Sequence, residues 1–124
     1  MSEVTIDLIE QLVAKYARLK PTLDEHVSDN FGEVLPHLFF GDLTRYVVSL
    51  LLDIESGVGP KHSEAEELRA LLNDLEHAYA TGDEEIQELI SVSFLENLPR
   101  PGEDASRVRA WLGPELAAQM RVIG

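Results

Sequence analysis

The sequence predicts an all-α fold: a compact bundle or short solenoid-like stack of about five main helices, with one or two short helices at the C-terminus. Three observations carry this. Apolar residues recur at three- and four-residue steps through most of the chain, the helical period. Helix start and stop signals punctuate those stretches. No segment sustains the apolar/polar alternation of a half-buried strand, and no internal repeat is evident.

The organising element is Leu35–Asp53, LPHLFFGDLTRYVVSLLLD, the most apolar stretch. Leu35, Leu38, Phe39, Leu43, Tyr46, Val47, Leu50, Leu51 and Ile54 form one stripe, and Phe40, Val48 and Leu52 carry apolar surface further round the cylinder. Only Asp42, Arg45, Ser49 and Asp53 leave a narrow polar seam. A helix apolar on most sides has to be wrapped by others. Asp42, Arg45 and Asp53 within it, with Pro36 and His37 at its start, argue for a buried helix and against a membrane span. Gly41 is costly inside a helix and is read as a point of close helix–helix approach.

In chain order, a first helix is expected over Ser2–Leu19, with Ile6, Ile9, Leu12, Val13, Tyr16 and Leu19 facing inward. Pro21 breaks it and can open a second helix whose inner side would be Leu23, Val27 and Phe31. Asn30-Phe31-Gly32 is a turn signal, with Gly32 the expected left-handed cap. After the central helix, Ser63 and Glu66 form a capping box that opens a helix through Leu68, Leu71, Leu72, Leu75, Ala78 and Tyr79. Thr81-Gly82-Asp83 closes that helix and caps the next, Asp83 to Leu98, so the two make an antiparallel hairpin. Short helices are expected over Asp104–Leu112 and Pro114–Val122.

At 124 residues the chain is expected to form one domain, residues 1–124, with a core large enough to need no staples. It has no cysteine, which excludes a disulfide framework and a thiolate metal site. No apolar segment follows a basic N-terminus, so no secretory signal is expected and the chain is read as cytoplasmic. Its net charge is −13. The imbalance sits in residues 1–99, with 20 acids against 6 bases, while residues 100–124 hold 3 and 4. Such a field disfavours nucleic acid and anionic membranes and favours a basic protein partner, although solubility alone also accounts for it.

Few constellations could carry chemistry. His26, His37, His62 and His77 fall on separate elements, and no two have the i, i+4 spacing of a helical zinc site, so neither metal nor cofactor is expected. His37, Asp42, Arg45 and Ser49 are read as a structural polar seam, because no nucleophile or second acid is tied to them by spacing. Acids gather at two helix N-termini: Glu64, Glu66 and Glu67, then Asp83, Glu84, Glu85 and Glu88. The helix macrodipole stabilises acids there. With Asp74 and Glu76 between them they also promise one contiguous acidic face, and Glu84, Glu85, Glu88, Glu64, Glu67 and Asp74 are the candidate partner contacts.

Two segments, LPHLFFGDLTRY (Leu35–Tyr46) and EEIQELISVSFLENL (Glu84–Leu98), together with LGPEL (Leu112–Leu116), carry a resemblance. The chain resembles a family of small, acidic, all-helical bacterial proteins of unknown function, some of which look like immunity proteins encoded beside polymorphic toxins. The resemblance implies an all-helical fold and a toxin-neutralising role, and it brings no catalytic motif. Three functions are thus expected in descending order. One is an immunity protein that occludes a basic toxin, such as a nuclease, with its acidic hairpin. Another is an adaptor or regulatory module that binds a protein through an apolar groove. The last is a small ligand binder or enzyme using His37, Asp42 and Arg45. Trp111 argues that residues 100–124 pack on the body.

Overall fold

A computed structural model describes residues 3–56, 61–100, 103 and 106–123. Within them the chain forms α1 (Glu3–Lys15), α2 (Lys20–Asp29), α3 (Pro36–Ser56), α4 (Lys61–Thr81), α5 (Glu84–Ser93) and α6 (Pro114–Ile123). Three 3-10 turns, Ala17–Leu19, Leu95–Asn97 and Ser106–Trp111, join or follow them. The fold is all-α, and no strand occurs among the described residues.

The central helix is α3, and it packs against α1, α2, α4 and α5. Phe39, Phe40, Leu43, Val47, Leu50 and Leu51 are buried along it. They belong to one contiguous core that runs from Ile9 of α1 to Met120 of α6. Pro36 stands in the first turn of α3, where its missing N–H costs nothing. α5 is the second buried element, packed against α1, α3 and α4 through Ile86, Leu89 and Ile90. The short α4–α5 connection is capped as expected, with Ile86 N–H donating to Asp83 Oδ1 at 3.1 Å. No helix among the described residues is long and apolar enough to cross a membrane.

Several boundaries differ from the sequence expectation. The first helix stops at Lys15, and Tyr16 turns to extended backbone (φ −114°, ψ 91°). That exit lets the Tyr16 hydroxyl reach Asp74 of α4. The fifth helix ends at Ser93 rather than Leu98. The chain tightens there into a 3-10 turn over Leu95–Asn97, and Phe94, Leu95 and Leu98 are all buried in the core. α4 is already helical at Lys61, so Ser63 lies inside its first turn and is not the cap. The expected Asp104–Leu112 helix is a 3-10 turn over Ser106–Trp111, and Asp104 lies outside the described residues. Val108, Leu116 and Met120 are buried, so the C-terminal segment does pack on the body, with α6 against α4. Trp111, the one tryptophan, lies beneath Arg69 of α4, whose guanidinium carbon is 5.3 Å from the ring centre.

The glycines correct the sequence reading. A Cβ on Gly41 would meet only the end of the Arg45 side chain, at 4.0 Å, so no neighbouring helix approaches there. Close approach occurs instead at Gly113, where a Cβ would lie 2.7 Å from Glu76 Cδ. The α2–α3 turn also departs. Gly32 N–H donates to Val27 C=O at 2.9 Å in a Schellman arrangement, which places Phe31 in the left-handed seat after the helix. Its φ is 56°, a conformation that costs a side-chain-bearing residue about 1–2 kcal/mol. Gly32 follows at φ 84°.

Candidate functional site

The acids expected to form one face separate into two sets. Glu84, Glu85 and Glu88 are exposed on the first turns of α5. Glu84, Glu88 and Val92 follow at i, i+4 steps along the outer side of that helix, opposite its core residues. Exposed Glu96 follows in the next turn. Among the described residues no cation pairs with Glu84, Glu85 or Glu88.

The α4 acids turn inward. Glu64 is 6 % exposed, and its Oε2 is buried without a hydrogen-bond partner. It precedes Leu68, Leu71 and Leu75 by four, seven and eleven residues, so it stands on the core stripe itself. Glu67 and Asp74 border that stripe, two turns apart, and each accepts a tyrosine hydroxyl. Tyr46 of α3 donates to Glu67 Oε2, and Tyr16 donates to Asp74 Oδ2 at 2.5 Å. Burial raises both phenols above their ordinary range, and the hydrogen bonds to the carboxylates raise them further. Lys15 also pairs with Asp74 at 2.8 Å, and Arg18 lies 3.9 Å from Glu67. Glu76, expected on the acidic face, turns to α6, where its carboxylate accepts from the N–H groups of Glu115 (2.8 Å) and Leu116 (2.9 Å). Glu64 is therefore buried, Glu67, Asp74 and Glu76 are bonded within the fold, and of the candidate partner contacts the exposed ones are those on α5.

The polar seam of α3 also divides. His37 pairs through Nδ1 with Ser93 Oγ of α5 at 2.5 Å. Asp42 and Arg45 pair with each other, one helical turn apart. Residues 37 and 42 lie about 140° apart around a helix, so His37 does not converge with them. A histidine does approach Asp42, but it is His26. Its ring is buried on edge against Phe39, with centroids 5.7 Å apart. Leu35 N–H donates to its Nε2 at 2.9 Å, which leaves the ring proton on Nδ1, 3.6 Å from Asp42 Oδ2. Asn30 Nδ2 donates to the His26 carbonyl at 2.7 Å. His26 therefore locks the α2–α3 turn to the core. The sequence signal was its place seven residues after Leu19 and three after Leu23, spacings that share one helix face.

Two concavities flank Arg45 and Ser49, which line both. One, of about 500 Å³, lies between α2 and α3 and is lined by Glu25, His26, Asp29 and Asp42. The other, of about 740 Å³, runs between α3 and residues 96–100 and 103, and offers Val48, Leu52 and Pro99 beside Arg100, Glu96 and Glu103. Among the described residues no group of three or more His, Asp or Glu side chains is placed to hold a metal ion.

No curated protein and no solved structure matches the chain. A family model does match it, over residues 9–122, which span every helix from the middle of α1 to the end of α6. On that match the chain belongs to the family described as "Domain of unknown function (DUF7674)".

Proposed function

We propose that this protein is a non-enzymatic protein-binding module that receives a basic partner on the outer face of α5, and that within this class it acts as an immunity protein neutralising a basic toxin. One observation carries the reading. Glu84, Glu85 and Glu88 are exposed and matched by no described cation, while Lys15, Arg18, Lys20, Arg45 and Arg107 each lie within ion-pair distance of an acid of the chain. Three unmatched carboxylates are thus presented together on a rigid helix whose other side is core. Carboxylates so placed would cover the lysines and arginines with which a toxin such as a nuclease grips phosphate. They would also speed encounter through complementary fields.

The test is co-purification with the toxin-like product of a neighbouring gene, followed by titration over a range of salt. Affinity should fall steeply from low to moderate salt. Charge reversal at Glu84, Glu85 and Glu88 should weaken binding while the protein stays folded, its unfolding midpoint lowered only by the lost interaction of these acids with the α5 dipole. Binding indifferent to both perturbations would refute the reading. It would favour the second one, an adaptor that takes a partner segment in the groove beside Val48 and Leu52. The geometry argues against a ligand site built on His37, Asp42 and Arg45, because His37 faces Ser93 while the other two pair with each other.

A further inference from the structure

Four phenylalanines occur in the chain, and three, Phe39, Phe40 and Phe94, are fully buried. The fourth, Phe31, expected on the inner side of the second helix, is instead 99 % exposed, because α2 ends at Asp29 and the turn carries the ring away. It is also the one described non-glycine residue with positive φ, 56°, held in the seat where helices ordinarily place glycine or asparagine. A lone exposed apolar side chain is common and calls for no explanation. Here the ring is bare and the backbone beneath it is unfavourable, while Gly32, the residue suited to that seat, stands one position later. Within the monomer neither feature is compensated.

The turn that carries Phe31 is held on both sides. Gly32 N–H reaches Val27 C=O (2.9 Å), and Glu33 N–H reaches Asn30 C=O (3.1 Å). Asn30 is tied to the His26 carbonyl, and Leu35 N–H to the His26 ring, itself buried against Phe39. The ring is therefore displayed from a fixed backbone, which limits the ordering cost of docking it. Its surroundings state the charge of what it meets. Asp29 and Glu33, two residues to either side, are both exposed. Residues 20–45 contain five acids against two bases; Lys20 pairs with Asp24 and Arg45 with Asp42, which leaves Glu25, Asp29 and Glu33 unmatched among the described residues. A second copy of this chain, at net charge −13, suits that edge poorly.

We propose that Phe31 is an anchor that inserts into an apolar pocket with a basic rim on another protein. Aromatic side chains that fill a desolvated pocket dominate many interfaces, and acids around them steer approach and select the rim. This inference rests on the protein-binding reading but assigns a contact remote in sequence from α5.

The experiment places the photo-reactive residue benzoylphenylalanine at position 31 of the full chain in the source cells, identifies the adduct and purifies the trapped protein. That protein is then titrated with wild type, Phe31→Gly, the Asp29→Lys/Glu33→Lys double variant and the triple charge reversal on α5. Phe31→Gly should lower affinity about thirtyfold or more. Its unfolding midpoint should stay level or rise, because glycine relieves the left-handed seat. The Asp29/Glu33 variant should bind more weakly at low salt. The inference is overturned if no adduct forms, if the adduct is a second copy of the chain or an acidic protein, if Phe31→Gly binds as tightly as wild type, or if it loses stability. Loss of binding on α5 reversal alone would refute the anchor and leave the acidic-face reading standing. Loss with Phe31→Gly alone would do the reverse.

Discussion

The attachment of α6 should depend on one carboxylate and one glycine acting as a unit. Gly113 occupies the cap position of α6, since its carbonyl accepts the first helical bond, from Ala117 N–H at 2.8 Å. Glycine has no side chain with which to cap, and Glu76 reaches across from α4 to satisfy two of the free N–H groups instead. Replacing a capping side chain by alanine costs about 1 kcal/mol, and loss of a charge near a helix N-terminus adds about 0.3–1 kcal/mol. Glu76→Ala should therefore cost about 1.5 kcal/mol, or about 5 °C in unfolding midpoint for a chain of this size. Gly113→Ala should cost a similar amount by a different route, because its Cβ would sit 2.7 Å from Glu76 Cδ and push the carboxylate off the helix. The decisive measurement is the double-mutant cycle by urea unfolding. With Glu76 already removed there is no carboxylate to displace, and Gly113→Ala should cost about 1 kcal/mol less than in wild type. Additive losses, agreeing within about 0.3 kcal/mol, would refute the linkage of the two residues.

Other predictions follow from the same geometry. Gly41→Ala should stabilise the protein by about 1 kcal/mol in chemical unfolding, because the new methyl meets open space within a helix. His26→Ala should cost about 3 kcal/mol, by leaving Leu35 N–H without its acceptor and opening a void beside Phe39. Asp42→Ala should cost less than about 1 kcal/mol, because the Arg45 it pairs with is largely exposed. Stability should also fall as pH rises above about 10, the ordinary tyrosine value. Tyr16 and Tyr46 are raised in the fold, so there the unfolded chain binds fewer protons than the native one, and the contribution fully present below that pH is progressively lost. Replacing both tyrosines by phenylalanine should flatten that fall, as read from unfolding midpoints across alkaline pH.

Much of the architecture was legible because helical periodicity is local. The stripe from Leu35 to Ile54 is α3, and the signals at Asp83 and Pro114 start α5 and α6. The failures share a cause, since each needed knowledge of what lies across from a residue. Glu64, Glu67 and Asp74 read as surface because they are acidic, yet continuing the Leu75–Leu71–Leu68 stripe back one turn lands on Glu64. A phase argument would have placed it inside. Nothing in the local pattern announces Tyr16 and Tyr46 as donors to α4, or Glu76 as the cap of a helix 39 residues further on. Gly41 invited a packing explanation that belonged to Gly113, because a glycine's neighbours are tertiary facts. Phe31 and Gly32 were recognised as a turn, but which of them takes the first left-handed seat depends on where α2 ends.

The stacking of Trp111 under Arg69 gives the molecule an internal optical probe with a narrow field of view. As the one indole of the chain, it senses whether the segment that bears it rests on α4, while far-ultraviolet dichroism weighs all six helices at once. If the C-terminal segment detaches before the helices melt, the two signals will trace separate curves on heating. Coincident curves will mean that α6 and the α3 core come apart as one cooperative unit.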